Sequence, residues 1–446
     1  MSLHLSGHTS VRVTSEPFGS SLSRSILVVG GGIAGITAAI EAAETGYDVF
    51  LVEKEAYLGG RVAQLNKYFP KLCPPTCGLE INFQRIRNNR RVHLYTLAEV
   101  QSISGGPGNF DVTVTQHSRY VNNRCTGCNK CVEVCPVDRP NAFNFGMDTT
   151  KAIYLPHVMA FPLKYVIDPS VCKFQECAKC VEVCPYEAIE LAMSPQTFRL
   201  KVGAIIMATG WKPYEAAKID NLGFGRYSDV ISNMMMERMA APNGPTQGRI
   251  IRPSDGKPAK NVVFVQCAGQ RDENHLGYCS GICCLASLKQ ATYVREQSPD
   301  AKVFIFYIDL RAPGTYGFFS QKVQTDGQVS AIKGKVAKIV QDSSTRDLIV
   351  EAEDILSGQK IRVHADLVVL ATGMAASLDQ DTPAGLSHDK DHFLLPEESA
   401  PGIFAAGCAR GPVDVATAAQ DATAAALKAM GAIRSHGARV AARVAE

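Results

Sequence analysis

The sequence has no uninterrupted apolar run approaching the roughly 18 residues that mark a membrane-spanning helix. It has one tryptophan, and its net charge is only +3, with 46 Lys and Arg set against 43 Asp and Glu. The basic residues are scattered, which gives a solubilised surface and excludes the basic stripe of a nucleic-acid partner. Met1 to Arg24 is rich in Ser and Gly and lacks an apolar h-region. It reads as a flexible leader, or as an arm that orders on a partner, and not as a signal peptide. These absences together place the protein in a reducing cytoplasm.

Cysteine is what the chain has in quantity. There are 15 in 446 residues, with 46% hydrophobic and 20% charged residues otherwise ordinary for two or three globular domains. In a large cytoplasmic chain, clustered cysteines point to metal sites rather than disulfides. Thirteen fall into four groups: Cys73/Cys77, Cys125 to Cys135, Cys172 to Cys184, and Cys279/Cys283/Cys284. Cys267 and Cys408 stand apart.

Ser25 to Gly30 is a short apolar strand running into glycines, Ile33 to Thr45 an Ala-rich helix, and Tyr47 to Glu53 a second strand. This predicts a βαβ unit on a parallel sheet. Gly30, Gly32 and Gly35 form G-x-G-x-x-G between the first strand and the helix, and Glu53 ends the second strand. The first glycine makes the tight turn, the second lets backbone approach a pyrophosphate, and the third lets helix pack on strand. The helix N-terminus offers its dipole and free N–H groups to the anion, and Glu53 is placed to accept from an adenosine ribose. Gly59-Gly60-Arg61 is typical of FAD enzymes that wrap this loop around the cofactor. Two apolar strands ending in Ala-Thr-Gly (Thr209-Gly210 and Thr372-Gly373) and the turn at Gly407-Cys408 fit later turns of the same domain. The pattern resembles the two-dinucleotide-binding-domain flavoproteins of the disulfide reductase superfamily.

Two features depart from that superfamily. The second domain has no Gly-rich fingerprint for NAD(P)H: its first strand ends at Gln266-Cys267-Ala268-Gly269-Gln270-Arg271-Asp272. Cys408 stands where an Asp usually contacts the flavin's ribityl chain, so backbone N–H groups are expected to do that work.

Cys125-x2-Cys128-x2-Cys131-x3-Cys135-Pro136 is the bacterial ferredoxin run, and Cys172-x4-Cys177-x2-Cys180-x3-Cys184-Pro185 repeats it with a longer first gap. Zinc prefers separated Cys pairs, so two 4Fe–4S clusters are expected. In two-cluster ferredoxins the fourth Cys of each run serves the other cube. One set is then Cys125, Cys128, Cys131 and Cys184, and the other Cys172, Cys177, Cys180 and Cys135.

By chemistry alone Cys279-Ser-Gly-Ile-Cys283-Cys284 is ambiguous: small buried hydrophobes, a redox-active thiol pair or metal ligands. Yet Cys-x-Gly-x-Arg-Asp (Cys267 to Asp272), then Tyr278-Cys279-x3-Cys283-Cys284 and Lys289, resembles the A-type polypeptide of heterodisulfide reductases. The resemblance implies that Cys267, Cys279, Cys283 and Cys284 hold a third, atypical 4Fe–4S cluster near the flavin. It also implies that Lys289 lies by the isoalloxazine, where a cation would stabilise reduced flavin. A lysine on a helix surface is the plain alternative. The inserted ferredoxin and Cys73-x3-Cys77 more closely resemble the A-type polypeptide of the quinone-interacting membrane-bound oxidoreductases. Two cysteines cannot complete a cube, so Cys73 and Cys77 are read as structural, buried thiols, the alternative being a contribution to a partner's site.

The expected architecture is α/β: a Rossmann-like FAD domain and a degenerate second dinucleotide-type domain, with a bacterial-type two-cluster ferredoxin inserted. The expected segments are the leader 1–24, FAD domain 25–118, ferredoxin 119–193, FAD domain 194–257, degenerate domain 258–366, and FAD domain with a closing helix 367–446. The resemblance implies a flavin and iron–sulfur electron-transfer subunit exchanging electrons between the quinone pool and adenylylsulfate reductase. Its implied partners are a second flavin and iron–sulfur subunit of the same family, together with a haem-bearing membrane subunit. The protein itself would sit on the cytoplasmic face through them. Alternatives are a soluble, electron-bifurcating heterodisulfide reductase-like complex, a stand-alone NAD(P)H oxidoreductase using Cys283/Cys284 as a dithiol, and a non-enzymatic iron–sulfur sensor. The missing second fingerprint argues against the stand-alone oxidoreductase, and a complete FAD site argues against the sensor.

Overall fold

Two five-stranded parallel sheets organise the chain in the computed structural model, which describes residues 23–69, 72–378, 386–395 and 400–445. All but the last two residues of the expected leader lie outside these. The first sheet runs in the order Ile403–Ala405, Ala204–Met207, Ser25–Val29, Asp48–Glu53, Val92–Thr96. Its central strand reads as continuous apolar sequence because both faces are covered. Ile26 and Val28 pack under the helices Ile33–Glu44 and Val415–Ala445, while Leu27 packs against Val112 and Val114 of an antiparallel meander. Alanines dominate the helical side, among them Ala38, Ala42, Ala422 and Ala426, all fully buried, which lets the two helices approach closely.

The second sheet repeats this plan in the order Val230–Ser232, Leu367–Thr372, Asn261–Ala268, Lys302–Tyr307, Val329–Lys333. Val262 and Phe264 face Leu288, Ala291 and Val294 of the helix Cys283–Gln297, while Val263 and Val265 face a second three-stranded meander through Ile339 and Val350. Both halves are therefore a βαβ-type sheet with its own meander, a two-dinucleotide-binding architecture.

The boundaries between the halves differ from the expected ones. Val230–Ser232 and the helix Asn233–Ala240 already belong to the second unit, and so does Leu367–Thr372. The Pro- and Gly-rich stretch 242–260 resembles a linker in composition but is a surface connection inside that unit. Each Ala-Thr-Gly ends a central parallel strand of a different sheet. The chain then crosses between units through Trp211–Pro213 and returns through Met374–Ala376, and these two segments pair antiparallel. The stretch leading into Thr209 forms two strands: Gln196–Val202 completes the first meander, and Ala204–Met207 enters the parallel sheet. Gly203 makes the change of direction, packed against Ser23 and Ile433.

The ferredoxin module leaves the meander after Gln116 and rejoins it at Gln196, residues that face each other across the ladder. It has its own small core of Val121, Ile153, Tyr165, Ile167 and Ile189. An aromatic joint ties it to the rest. Phe143 stacks on His157 with centroids 4.5 Å apart, and Tyr57 of the FAD unit meets His157 edge-on at 5.0 Å. The Arg238 guanidinium lies 4.6 Å over the Phe143 ring and donates from Nε to Asn144 Oδ1 at 2.8 Å. Burial and the neighbouring Arg238 push His157 down to about 4, so its ring is neutral near pH 7. Phe143→Ala should remove the centre of this joint. A loss of about 3 kcal/mol or more is expected by analogy with other buried Phe truncations. Thermal melting and limited proteolysis of the insert check it, and an unchanged melting temperature would show that the joint is dispensable.

Candidate functional site

The carboxyl-terminal edge of the first sheet opens into a cleft with about 990 Å³ of atom-free space, part of it open to solvent. Gly30, Gly32, Glu53, Gly60, Arg61, Thr209, Gly210 and Cys408 line it, together with Tyr57, Trp211 and Asp414. Gly30 adopts φ +107°, and a Cβ there would sit 2.7 Å from the carbonyl carbon of Ala208. A Cβ at Gly32 would meet nothing within 4 Å, so the space in front of it is free for a ligand. Gly32 also caps the helix Ile33–Glu44 without a side-chain hydrogen bond, which leaves the terminal N–H groups for an anion. Gly35 packs on the Gly30 carbonyl and Gly407 on Ala34 and Ala418, both away from the cleft lining. These features fit a dinucleotide.

Glu53 is 7% exposed. Its Oε2 accepts the Gly31 N–H at 2.5 Å and its Oε1 the Glu55 N–H at 2.7 Å. Burial pushes the carboxyl up to about 6 against those two stabilising bonds. Cys408 donates to the Val413 carbonyl at 3.4 Å, and burial pushes its thiol up to about 11, so it faces the cleft as a neutral group.

A second cavity continues from the first through Arg61, Val62, Trp211 and Val413 to Val415. Asp414 lines both and caps the helix Val415–Ala445, accepting the Thr417 N–H at 2.7 Å. Lys289 and Cys283 line the second cavity. Lys289 is buried, only 4% exposed, so the helix-surface alternative does not hold. Its Nζ lies 3.1 Å from Glu237 Oε1 and donates to the Lys67 carbonyl at 2.6 Å. Glu237 also accepts from Gln290 Nε2, the Asn66 N–H and Tyr293 Oη. Sequence reasoning missed Glu237. The available signal was a charged Glu-Arg pair inside the Met-rich helix Asn233–Ala240.

Of the two second-unit residues expected at the flavin, one lines a cavity and the other does not. Thr372 ends the second sheet, lines the second cavity and donates to Asn233 Oδ1 at 3.2 Å. Gly373 lines neither cavity: a Cβ there would lie 2.6 Å from Gln270 Cγ, so its role is to admit that side chain.

In the ferredoxin module Cys135, Cys172, Cys177 and Cys180 ring one small apolar cavity, and Cys125, Cys128, Cys131 and Cys184 ring another. The short helices Lys130–Glu133 and Lys179–Glu182, both of sequence KCVE, sit at equivalent places in the two. Backbone N–H groups of Phe174 and Ala188 point at the sulfurs of Cys172 and Cys184, at 3.4 and 3.3 Å. Burial pushes the Cys131 and Cys180 thiols up to about 12 and 11, so iron must displace protons to bind there. Among the described residues no three His, Cys, Asp or Glu side chains are grouped to hold a single metal ion.

In the second unit the helix Cys283–Gln297 begins at Cys283, where its counterpart in the first unit begins at the glycine turn. Cys267, Cys279, Cys283 and Cys284 come together at this helix N-terminus, each within electrostatic reach of others of the set. Two of the sulfurs accept N–H bonds, Cys279 from the Gly281 backbone at 3.4 Å and Cys283 from Gln270 Nε2 at 3.1 Å, and Arg271 lies within electrostatic reach of Cys267 and Cys284. Four thiols with N–H donors at a helix N-terminus suit an anionic sulfur cluster. They occupy the position a nucleotide pyrophosphate would need, and Tyr214 fills the space over Gly269.

Cys73 and Cys77 are not core thiols: Cys73 is half-buried and Cys77 exposed. That corrects the reading of both as buried. The two Pro residues before the helix Thr76–Asn88 set its start at the surface, and Cys77 falls in its first turn.

Two outcomes follow. Because folding raises the Glu53 pKa above its usual 4.5, ionising it opposes folding, and this contribution to stability falls as pH rises between those values. Ribose hydrogen bonds need the ionised acceptor and act in the opposite sense. FAD release, followed by flavin fluorescence, should therefore accelerate as pH drops through about 6, and Glu53→Gln should flatten the profile. A wild-type release rate independent of pH would remove Glu53 from the ribose site. NADH and NADPH should not reduce the flavin rapidly in stopped flow, since thiols fill the second cradle. Fast bleaching would restore the NAD(P)H oxidoreductase reading.

Comparison with known proteins agrees with this geometry. Residues 25–74 match a model for FAD dependent oxidoreductases, and residues 124–188 a model for the 4Fe–4S dicluster domain. The chain is 40% identical over 429 residues to the first of the iron–sulfur A-type polypeptides of CoB–CoM heterodisulfide reductase from Methanopyrus kandleri, covering 92% of this chain and 64% of that one. It is 42% identical over 412 residues to the corresponding polypeptide of Methanocaldococcus jannaschii, covering 88% and 62%. The chain thus spans 62–64% of the length of these relatives. In fold it is similar to the thioredoxin reductases of T. acidophilum (TM-score 0.51, 16% identity, 91% of this chain and 97% of that one) and Lactococcus lactis (0.52, 13%, 93% and 100%). Over most of its length the chain is similar to the iron–sulfur A-type polypeptides of heterodisulfide reductases, and its FAD dependent oxidoreductase and 4Fe–4S dicluster regions give it FAD and 4Fe–4S clusters as cofactors.

Proposed function

We propose that this protein is a flavin and iron–sulfur electron-transfer subunit of a multi-subunit oxidoreductase. The observation that carries the reading is Cys283, whose side chain lines the second cavity while belonging to the four-thiol group at the helix N-terminus. Bound FAD exchanges electrons in pairs and 4Fe–4S clusters exchange them singly. What the chain contributes is placement. The glycine turn and Glu53 hold the dinucleotide end, Arg61 and Asp414 line the passage between the cavities, and Lys289 supplies a buried cation held by Glu237. The two cysteine rings of the insert offer onward sites beyond the aromatic joint.

The narrower reading is exchange of electrons between the quinone pool and adenylylsulfate reductase. It uses a second flavin and iron–sulfur subunit together with a haem-bearing membrane subunit, with this chain at the inner membrane face. The ferredoxin insert and the Cys73-x3-Cys77 segment support it. Among the described residues no helix is long and apolar enough to cross a membrane, so any membrane attachment in this reading runs through partners. A second reading, the A-type polypeptide of a heterodisulfide reductase-like bifurcating complex, is supported about equally by the curated relatives. Identifying the subunits that co-purify separates the two: a haem-bearing membrane subunit favours the first, a hydrogenase or formate dehydrogenase subunit the second.

Anaerobically purified protein should hold one FAD and about twelve irons, four for each of three cubes. About eight would remove the second-unit cluster, and zinc in place of iron would sink the metal assignment. Cys284→Ser should lose about four of those irons and keep FAD, because a hydroxyl is a harder and far less acidic ligand than a thiol. Electron transfer from chemically reduced flavin to the remaining clusters should slow by stopped-flow absorbance. Full iron with fast transfer would show that Cys284 is not a ligand.

A further inference from the structure

Gln270 is a buried and fully committed amide. It is 2% exposed and sits in the loop between the strand Asn261–Ala268 and the helix Cys283–Gln297. Its Nε2 donates to Cys283 Sγ at 3.1 Å and to the Ala371 carbonyl at 3.1 Å. Its Oε1 accepts the Ser280 N–H at 3.0 Å. Ser280 is fixed in turn, its Oγ accepting the Met374 N–H at 2.9 Å. Gly373 leaves the room for Gln270, since a Cβ there would collide with the Gln270 side chain. Two chain segments and the crossover strand Met374–Ala376 thus hold one N–H bond aimed at one sulfur.

The protonation state of Cys283 decides what that bond does. As a thiol, Cys283 can donate to Gln270 Oε1 at 3.6 Å or to the Thr372 carbonyl at 3.8 Å. As a cluster ligand it has no proton and can only accept. The Gln270 Nε2–H is then the partner that remains, and the Thr372 carbonyl becomes a weakly repulsive neighbour. Reduction adds negative charge to a cluster and its thiolates, so an N–H aimed at a ligand sulfur favours the reduced form and raises the potential. A side-chain amide at a buried site is worth more than one in water. Cys283 is also the member of its four-thiol group that lines the flavin-side cavity.

We propose that Gln270 is a positioning residue that fixes Cys283 toward the flavin-side cavity and, through its N–H to the sulfur, raises the reduction potential of the cluster held by Cys267, Cys279, Cys283 and Cys284. The proposal rests on the reading of those four thiols as cluster ligands and goes beyond it by naming what sets the cluster's potential.

Gln270→Met tests it, because it removes the N–H at nearly constant length and volume. Whole protein purified anaerobically is compared with wild type by iron and FAD content and by redox titration followed by electron paramagnetic resonance. Iron and FAD should stay unchanged, the midpoint of one cluster should move to more negative potential, and the two ferredoxin midpoints should stay put. Gln270→Glu, with the same length and, when ionised, no donor and a negative charge beside the sulfur, should shift the same midpoint at least as far. Full iron with all midpoints unchanged in both variants overturns the proposal. If the variants lose iron, wild-type protein labelled with ¹⁵N in glutamine side chains still decides it. Electron–nuclear double resonance of the reduced cluster should show coupling to that nitrogen, and its absence overturns the proposal. About eight irons in wild type would fail the cluster reading first and this proposal with it, an outcome seen before any variant is made.

Discussion

The arrangement depends on one short antiparallel pairing, Trp211–Pro213 with Met374–Ala376, which joins the two parallel sheets where each has just ended. It brings the carboxyl-terminal edges of both sheets to a single cleft. Open parallel sheets present ligands at that edge because helix N-termini and strand-end loops converge there. Here the ribbon sets two such edges side by side. Glycines and Glu53 come from one, and Cys283, Lys289 and Thr372 from the other. Lengthening or shifting either strand would separate the two halves of the site while leaving each half folded.

The buried Lys289–Glu237 pair shows what such a site costs. Two charges at 4% and 2% exposure have lost most of their hydration, and an ion pair rarely repays that by attraction alone. The surrounding partners make it tolerable: the Lys67 carbonyl for the ammonium, and Gln290, Asn66 and Tyr293 for the carboxylate. Removing one member would leave the other uncompensated, at about 3–5 kcal/mol. The pair stands at the wall of the second cavity, while the apolar layers around both sheets supply the core.

Sulfur and nucleotide chemistry share one structural device in this protein. In the first unit a helix N-terminus preceded by glycines faces open space. In the second, the equivalent helix N-terminus is occupied by Cys283 and Cys284, with Cys267 and Cys279 brought alongside by the loop that precedes it. Both ends favour an anion, and the residues at the turn decide which anion can enter. The same parallel fold thereby supports a dinucleotide site in one half and a thiol cluster in the other.

Cysteine spacing and the glycine turn were legible in the sequence because they are local: a four-thiol loop or a strand–turn–helix closes on itself within a few residues. The α/β class, the ferredoxin module and the FAD fingerprint follow from such patterns. Contacts between distant segments were not legible. Leu367–Thr372 looks like a strand of the first sheet, since its Ala-Thr-Gly ending copies the earlier one, yet pairing with Asn261–Ala268 puts it in the second. Gly373 looks like a flavin turn and instead clears space for Gln270. Glu237 carries no motif and becomes visible only when its helix meets Lys289, and Cys73 and Cys77 carry no mark of their exposure. The sequence by itself determined which cofactors the chain has ligands for, because ligand chemistry resides in residue type and short spacing. Tertiary structure alone decided which ligands share a cavity, because that depends on how two sheets far apart in the chain are joined.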